Sequence, residues 1–356
     1  MKNKNLFSPI KINGLELTNR IVMAPMTRCR AINNVPNYLM ALYYEQRASA
    51  GLIITEGTSP SQNGLGYARI PGIFNKEQIE GWKKTTSAVH KKGGKIFTQL
   101  MHTGRVSHTE NLPENALIIA PSAISANVDM WTDTKGMQKT ETPKEMTILE
   151  IKNTIQEYIQ AAINAMDAGF DGVEIHSANG YLLEQFLNPH SNTRTDEYGG
   201  SIENRCRFVI EVVKAISSKI GQNKVGVRLS PYSTYTTMLS YTEISDTYNY
   251  LSKELNKLEI LYLHVIDYAA RSSNEGLELL QTIRTNFTQL LILNGGYTKE
   301  RAISGLEQDK ADLISFGSLF ISNPDLPFKL QNDIELTKPD PSTFYMADEK
   351  GFTDYK

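Results

Sequence analysis

The chain has 356 residues, of which 40% are hydrophobic and 21% charged, and its formal net charge is −2. This composition is that of a soluble globular protein, and it gives no electrostatic reason to expect nucleic acid or an anionic membrane surface as a partner. The first residues carry charge without an apolar core, and no apolar run is long enough to span a bilayer, so we expect neither a secretory signal nor a membrane anchor.

The first predicted element is a hairpin over Ile10–Leu17, where Asn13-Gly14 stands between alternating apolar residues. We expect this hairpin to close the bottom of a barrel. Eight short apolar runs follow it, each typical of a buried parallel strand. These runs are Arg20–Met23, Leu52–Thr55, Lys95–Gln99, Gly172–His176, Val225–Leu229, Leu261–Val265, Leu290–Leu293 and Leu313–Phe316.

Helical patterns separate several of these runs, at Glu77–Lys91, Thr147–Ala168, Ser201–Lys219 and Thr242–Leu255. Eight strands that alternate with helices predict a (β/α)8 TIM barrel. The widest gap runs from about residue 101 to residue 169, and its polar segment 129–142 indicates an excursion over the top of the barrel, between strand 3 and helix 3. Because no linker interrupts the pattern, we expect a single domain over residues 1–356.

The unusual residues of this pattern fall at or just after the carboxyl ends of the strand candidates. They are Thr27, Gly57, Gln99, His176, Arg228, Gly295, Gly296 and Gly317. The carboxyl ends of the strands form the face on which barrel enzymes carry their chemistry. The placement therefore predicts an enzyme site on that face.

The segment after the fourth strand candidate holds the most specific chemistry. His176 and Asn179 are neutral hydrogen-bond donors, and a turn there can aim both at one oxygen atom, with the Tyr181 phenol beside it. Two donors on a carbonyl oxygen polarise it and stabilise an enolate, and a phenol can then supply a proton. This is chemistry for reducing an activated C=C bond. Because no side chain delivers hydride, it requires a redox cofactor.

Glycines and a buried cation indicate where such a cofactor binds. Gly295-Gly296 and Gly317 follow strand candidates seven and eight, where barrels commonly bind phosphate through backbone N–H groups. A tight turn without a ligand explains the glycine pair equally well on its own. Arg228 is harder to explain in that way, because an always-charged side chain at the end of a buried strand needs a carboxylate or an anionic cofactor as its partner.

Six motifs follow one another in order along the chain. They are Asn19–Arg28 (NRIVMAPMTR), Gln99–Arg105 (QLMHTGR), His176–Asn192 (HSANGYLLEQFLNPHSN), Thr193–Ser201 (TRTDEYGGS), Val227–Pro231 (VRLSP) and Phe316–Leu326 (FGSLFISNPDL). Together they resemble the Old Yellow Enzyme family of FMN-dependent ene-reductases, and the resemblance runs from about residue 6 to residue 355. Within that family, Thr27 makes the chain more similar to the threonine-bearing branch, which includes bacterial N-ethylmaleimide and xenobiotic reductases, than to the thiol-containing one.

The resemblance implies a role for each matching residue. It assigns the substrate oxygen to His176 and Asn179 and the proton to Tyr181, with NADPH or NADH as the hydride donor to non-covalent FMN. Arg228 would stabilise the anionic reduced flavin. No metal is expected. The other implied contacts are with the flavin at Ala24, Pro25, Met26, Thr27, Gly57 and Gln99, with its phosphate at Gly295, Gly296, Gly317 and Ser318, and with the substrate at Tyr67, Met101 and Tyr345.

Two residues depart from the family pattern. Ser318 stands where arginine is usual, and because serine brings no charge to a phosphate, Lys299 or Arg301 are candidates to replace that charge. Met101 replaces a common tryptophan, and its flexible thioether changes the pocket. The loop 232–241 is also short, which affects substrate and nucleotide contacts.

The two cysteines, Cys29 and Cys206, are too few for a disulfide framework or an iron–sulfur cluster, and they suit the reducing cytoplasm in which we expect the protein. These features predict an FMN-dependent NAD(P)H oxidoreductase that reduces the C=C bond of α,β-unsaturated carbonyl or nitro compounds by a ping-pong mechanism. The predicted assembly is a monomer or a homodimer. An FMN-binding family member with little turnover, such as a sensor or relic, is the alternative. A flavin-free barrel lyase that binds a substrate phosphate is a weaker third hypothesis.

Overall fold

The computed structural model describes residues 5–355. Its first element is the predicted hairpin, formed by antiparallel strands β1 (Ile10–Ile12) and β2 (Leu15–Leu17). Leu15 and Leu17 are buried and join the apolar cluster that fills one end of the barrel, where Val22 and Phe97 also lie. The cluster includes residues from the first halves of the barrel strands, so the hairpin closes the amino-terminal end, as predicted.

The central feature is a closed barrel of eight parallel strands, which confirms the predicted TIM barrel. Almost every strand residue is buried, which explains why the strands appear in the sequence as short apolar runs. Each observed strand overlaps its prediction and differs from it at the ends by at most three residues. The barrel strands are β3 (Ile21–Met23), β4 (Leu52–Thr58), β5 (Ile96–Leu100), β10 (Gly172–Ser177), β11 (Val225–Leu229), β12 (Tyr262–Ile266), β13 (Leu290–Asn294) and β14 (Leu313–Phe316).

Helices surround the barrel, and side-chain caps define several of their starts. Asn75 and Thr147 form reciprocal capping boxes with Gln78 and Glu150, and Ser201 accepts a hydrogen bond from the backbone of its own helix. The helices are α1 (Tyr38–Gln46), α2 (Lys76–Lys91), α3 (Ile148–Asp167), α4 (Leu182–Leu187), α5 (Ile202–Ile220), α6 (Ile244–Lys257), α7 (Asn274–Asn286), α8 (Lys299–Glu307), α9 (Ser318–Ser322) and α10 (Leu326–Gln331).

The predicted excursion lies between β5 and α3. It contains the short parallel pair β6 (Ile119–Ala120) and β9 (Lys144–Glu145), and between them the antiparallel hairpin of β7 (Asp129–Thr132) and β8 (Gly136–Lys139). Within residues 5–355, no helix is long and apolar enough to cross a membrane. The assignment of residues 1–356 to one domain stays a prediction.

Candidate active site

A cavity of about 550 Å³ opens at the carboxyl ends of the barrel strands. It brings together residues that lie far apart in the sequence, from the ends of several strands and from the C-terminal segment. The predicted residues that line it are Pro25, Thr27, Tyr67, Gln99, Met101, His176, Asn179, Tyr181, Arg228 and Tyr345. Those outside its lining are Ala24, Met26, Gly57, Gly295, Gly296, Gly317 and Ser318.

The turn between β10 and α4 carries the three predicted catalytic residues. Asn179 and Gly180 have φ angles of 57° and 72°, in the left-handed region that asparagine and glycine enter most easily. A Cβ on Gly180 would overlap the hydroxyl of Thr236, so packing also requires glycine there. Tyr181 is the N-cap residue of α4. The turn thus places His176, Asn179 and Tyr181 on one wall of the cavity.

A buried carboxylate, Glu184, holds this turn in place. Its Oε2 accepts a hydrogen bond of 2.5 Å from the backbone N–H of Gly180, and its Oε1 accepts hydrogen bonds from Ser230 Oγ at 2.8 Å and Tyr248 OH at 2.7 Å. Ser230 Oγ in turn accepts from the backbone N–H of Asn179 at 2.8 Å. Glu184 therefore connects the substrate-binding turn to β11 and α6.

Replacing Glu184 with Gln is expected to flatten the pH dependence of stability. Burial raises the pKa of Glu184 from its ordinary 4.5 to about 7. Between these values the unfolded chain loses the proton while the folded chain keeps it, so folding stability falls as pH rises through this window, by at most about 3 kcal/mol. Gln cannot ionise but keeps an acceptor for Gly180. Urea unfolding at pH 5, 6, 7 and 8 should show the stability of the wild type falling relative to Glu184→Gln, and a constant difference would contradict this account.

The protonation states of His176 and Tyr181 suit the predicted chemistry. Burial, with the nearby charges of Arg228 and His264, lowers the pKa of His176 well below its ordinary value, so the imidazole is neutral at neutral pH. Burial also raises the pKa of Tyr181 well above its ordinary value, so the phenol keeps its proton. The Tyr181 and Tyr67 hydroxyls are 3.0 Å apart, and their rings meet edge to face.

A layer of buried charge, which was not predicted from the sequence, lies beneath the cavity. Glu174 Oε2 is 2.8 Å from His264 Nδ1, and its Oε1 accepts a hydrogen bond of 2.8 Å from Gln99 Nε2. Although burial disfavours the carboxylate, His264 and Arg228 hold the pKa of Glu174 below its ordinary value. The only sequence signal was polar residues within otherwise apolar strands. This layer provides a fixed negative charge close to Arg228.

Arg228 and Gln99, which line the cavity above this layer, have hydrogen-bonding groups that could hold a flavin. Arg228 Nη2 donates to Asn294 Oδ1 at 3.1 Å, but its buried Nε has no hydrogen-bond partner in the part of the chain that the structure describes. A buried guanidinium N–H that lacks a protein partner is free to donate to a ligand acceptor. Because Gln99 donates its amide N–H to Glu174, its carbonyl oxygen is left to accept. The pyrimidine edge of a flavin offers carbonyl oxygens and an N–H group that match both.

The predicted phosphate residues lie beside the cavity, at the ends of β13 and β14. Gly295 is buried, whereas Gly296 and Ser318 are exposed. Among the described residues, neither candidate for replacing the missing arginine donates a side-chain hydrogen bond to the predicted phosphate residues. Lys299 pairs with Asp333 at 2.6 Å, and the Arg301 guanidinium lies 4.8 Å from the centre of the Tyr297 ring. The structure therefore gives no support to compensation by Lys299 or Arg301.

The mouth of the cavity is formed by two segments, and neither had a residue with a predicted role in the site. Trp131 and Met137 come from the β7–β8 hairpin, and Tyr235 and Thr236 come from the loop after β11. That loop, although short, does reach the cavity. Because most of these residues are apolar or aromatic, the mouth is largely apolar and aromatic.

Gly57 packs against the predicted pocket residue Met101, since a Cβ at Gly57 would overlap its sulfur atom.

Comparisons with known proteins agree with this arrangement. Residues 5–337 match the profile of the NADH:flavin oxidoreductase / NADH oxidase family. 12-oxophytodienoate reductase 7 of Oryza sativa subsp. japonica is 41% identical over 374 residues, covering 99% of this chain and 95% of that protein. 12-oxophytodienoate reductase 1 of the same plant is 41% identical over 359 residues, covering 98% of this chain and 92% of that protein.

Solved structures give the same result. Morphinone reductase superposes with a TM-score of 0.95 at 41% identity, covering 100% of this chain and 96% of its own. Morphinone reductase in complex with tetrahydroNAD superposes with a TM-score of 0.94 at 42% identity, covering 99% of this chain and 97% of its own. The chain belongs to the NADH:flavin oxidoreductase / NADH oxidase family, which confirms the resemblance of its motifs to the Old Yellow Enzymes.

Proposed function

We propose that this protein reduces the activated C=C bond of an α,β-unsaturated carbonyl or nitro compound, with FMN as cofactor and NADPH or NADH as electron source. The observation that carries the proposal is the wall of one cavity on which His176, Asn179 and Tyr181 lie together, next to the buried cation Arg228. Bound beside Arg228 and Gln99, FMN would supply the hydride-transfer chemistry between the nicotinamide and the β-carbon of the substrate.

His176 and Asn179 bind and polarise the substrate oxygen. His176 Nδ1 has no hydrogen-bond partner among the described residues, and both side chains line the cavity. Donors fixed before the substrate arrives stabilise the negative charge that develops on its oxygen, without reorganising during the reaction. A neutral imidazole acts here as a hydrogen-bond donor rather than as an acid.

Tyr181 supplies the proton to the α-carbon. Its phenol is buried and protonated, and it contacts the hydroxyl of Tyr67. Positioned general acids of this kind contribute about 10²–10⁴-fold to a rate. Tyr67, which is partly buried, connects this hydroxyl to the outer part of the cavity.

His176, Asn179, Tyr181 and Arg228 all line one cavity, which favours ping-pong kinetics, because the nicotinamide must leave before the second substrate binds in the same place. The relatives named 12-oxophytodienoate reductase and morphinone reductase, one of them solved with tetrahydroNAD, support reduction with a nicotinamide donor. Arg228, fixed close to the proposed flavin edge, stabilises negative charge there. We also propose a cytoplasmic location, supported by two buried cysteines that are both unpaired.

The first test is the visible spectrum of the purified protein. We expect flavin bands that bleach when NADPH is added without oxygen and return when 2-cyclohexenone follows. A flavin that stays oxidised with both NADPH and NADH would favour the alternative function, that of an FMN-binding family member with little turnover. A protein that binds no flavin, even after reconstitution with FMN, would contradict the proposal and leave the flavin-free lyase.

A further inference from the structure

We propose that Arg271 supplies the positive charge for the FMN phosphate that Ser318 does not supply. Arg271 belongs to the 3-10 turn Ala270–Ser272, which follows β12, and it has no part in any of the six motifs. The inference rests on the FMN site proposed above. It concerns which residue recognises the phosphate monoester, and it is tested by flavin affinity rather than by turnover.

Arg271 lies against the first of the two proposed phosphate-binding glycines. Its Nη2 donates a hydrogen bond to the carbonyl oxygen of Gly295. A Cβ on Gly295 would lie 2.9 Å from Arg271 Nη2 and would overlap Asp267 Oδ1. Gly295 has a φ angle of 148°, a conformation open mainly to glycine. The close approach of the guanidinium is therefore one reason why position 295 needs glycine.

The guanidinium is held rigidly. Its Nε lies 3.0 Å from Asp267 Oδ1, and its carbon lies 5.5 Å from the centre of the Tyr297 ring. The Tyr297 hydroxyl donates to Asp267 Oδ2 at 2.6 Å, which fixes the carboxylate as well. Nη2 is occupied by Gly295, whereas Nε, although close to Asp267, has no hydrogen-bond partner among the described residues, so Nε and Nη1 can donate to a ligand. A fork fixed in this way loses little conformational entropy when it binds a phosphate.

The remaining groups near the two glycines provide little charge. Ser318 offers one neutral hydroxyl, and α9, which begins there, has only 5 residues, too few for a substantial helix dipole. A phosphate monoester carries about −1.5 to −2 charges at neutral pH and is bound most strongly by charge-assisted hydrogen bonds. Arg271, unlike Lys299 and Arg301, donates a side-chain hydrogen bond to one of the predicted phosphate residues, Gly295.

Replacing Arg271 with Gln should weaken FMN binding about 10-fold and leave riboflavin binding unchanged. A charge-assisted hydrogen bond corresponds to about 10- to 100-fold in affinity, and Asp267 offsets part of the charge, so the lower end applies. Full-length protein loaded with FMN, or exchanged into riboflavin, is diluted, and the fluorescence of released flavin gives each dissociation constant. Because riboflavin lacks the phosphate, the ratio of the two dissociation constants measures how much the phosphate contributes to binding.

Matched variants distinguish a phosphate contact from general support of the fold. Arg301→Gln removes a guanidinium that stacks on the same tyrosine without touching Gly295, and it should leave both affinities unchanged. Adding Ser318→Arg to Arg271→Gln should restore FMN affinity. If Arg271→Gln does not fold, Arg271→Lys, which keeps the charge but loses the fork, should still weaken FMN selectively.

Two results would overturn the inference. Equal weakening of FMN and riboflavin would mean that Arg271 only supports the loop, and no weakening of either would mean that it does not contact the phosphate. Both leave the proposed function standing, provided that the wild type binds FMN. A wild-type protein that binds neither FMN nor riboflavin would instead contradict the proposed FMN site itself.

Discussion

Replacing Tyr181 with Phe is expected to slow reoxidation of the reduced protein by 2-cyclohexenone about 10²–10⁴-fold, the range of a positioned general acid. Reduction by NADPH should be nearly unchanged, because that half-reaction needs no proton from the protein at carbon. The ring remains, so its edge-to-face contacts with Tyr67 and His176 are kept. Stopped-flow absorbance of the flavin measures the two half-reactions separately.

Tyr67→Phe is the matched control for this result. It removes the other hydroxyl of the same hydrogen-bonded pair, 3.0 Å away, and leaves Tyr181 able to donate its proton. We expect a much smaller loss in reoxidation than with Tyr181→Phe. Because burial keeps Tyr181 protonated, the wild-type rate of reoxidation should also stay level across neutral pH. Equal losses in both half-reactions of Tyr181→Phe would show that Tyr181 shapes the cavity instead of supplying the proton.

The barrel could be predicted from sequence because its strands are buried on both sides. Such strands appear as continuous apolar runs, and their alternation with capped amphipathic helices leaves few other architectures. β11 (Val225–Leu229) was predicted to the residue, whereas β4 extends to Thr58, three residues beyond its prediction. Its last residues follow a register shift between Ile54 and Gly57. An irregularity of this kind depends on pairing with β5 and has no local signature.

The predicted cavity residues lie either within one short motif or at the end of a barrel strand. The barrel topology was therefore enough to predict roughly where they lie. The contacts that hold them join distant parts of the chain and could not be predicted. Glu174 on β10 meets His264 on β12, with β11 between the two strands, and Arg271 meets Gly295 between neighbouring loops. Each is a single charged residue in an ordinary sequence context, so only the folded structure shows its partner.

The C-terminal segment is a third example. Arg30 is fully buried and donates to the backbone carbonyl oxygens of Thr343, Phe344, Asp348 and Lys350. This segment carries Tyr345 to the mouth of the cavity. Recognition of backbone carbonyl oxygens places no demand on the side chains of the segment, and so it leaves no sequence pattern. A buried arginine with these partners fixes one wall of the site from a distance.

Replacing Asn179 with Gly is expected to slow both half-reactions, which distinguishes it from Tyr181→Phe. The nicotinamide carboxamide and the substrate both present an oxygen atom in the same cavity, and Asn179 is a donor available to each. Loss of one such donor costs about 10²–10³-fold in a rate. Glycine is the appropriate replacement because residue 179 has a φ angle of 57°, and glycine enters that region without strain. Stopped-flow reduction by NADPH and reoxidation by 2-cyclohexenone are the measurements.

Asn179→Ala separates the lost donor from strain in the turn. It also removes the amide but adds a Cβ in a left-handed conformation, which costs about 1 kcal/mol or more. If the amide is what matters, both variants should lose activity to a similar degree, and only the alanine variant should unfold at a lower urea concentration. If Asn179→Gly keeps full activity while Asn179→Ala does not, the side chain is dispensable. Asn179 would then serve only to form the turn that Glu184 holds, and His176 would be left as the donor to the substrate oxygen.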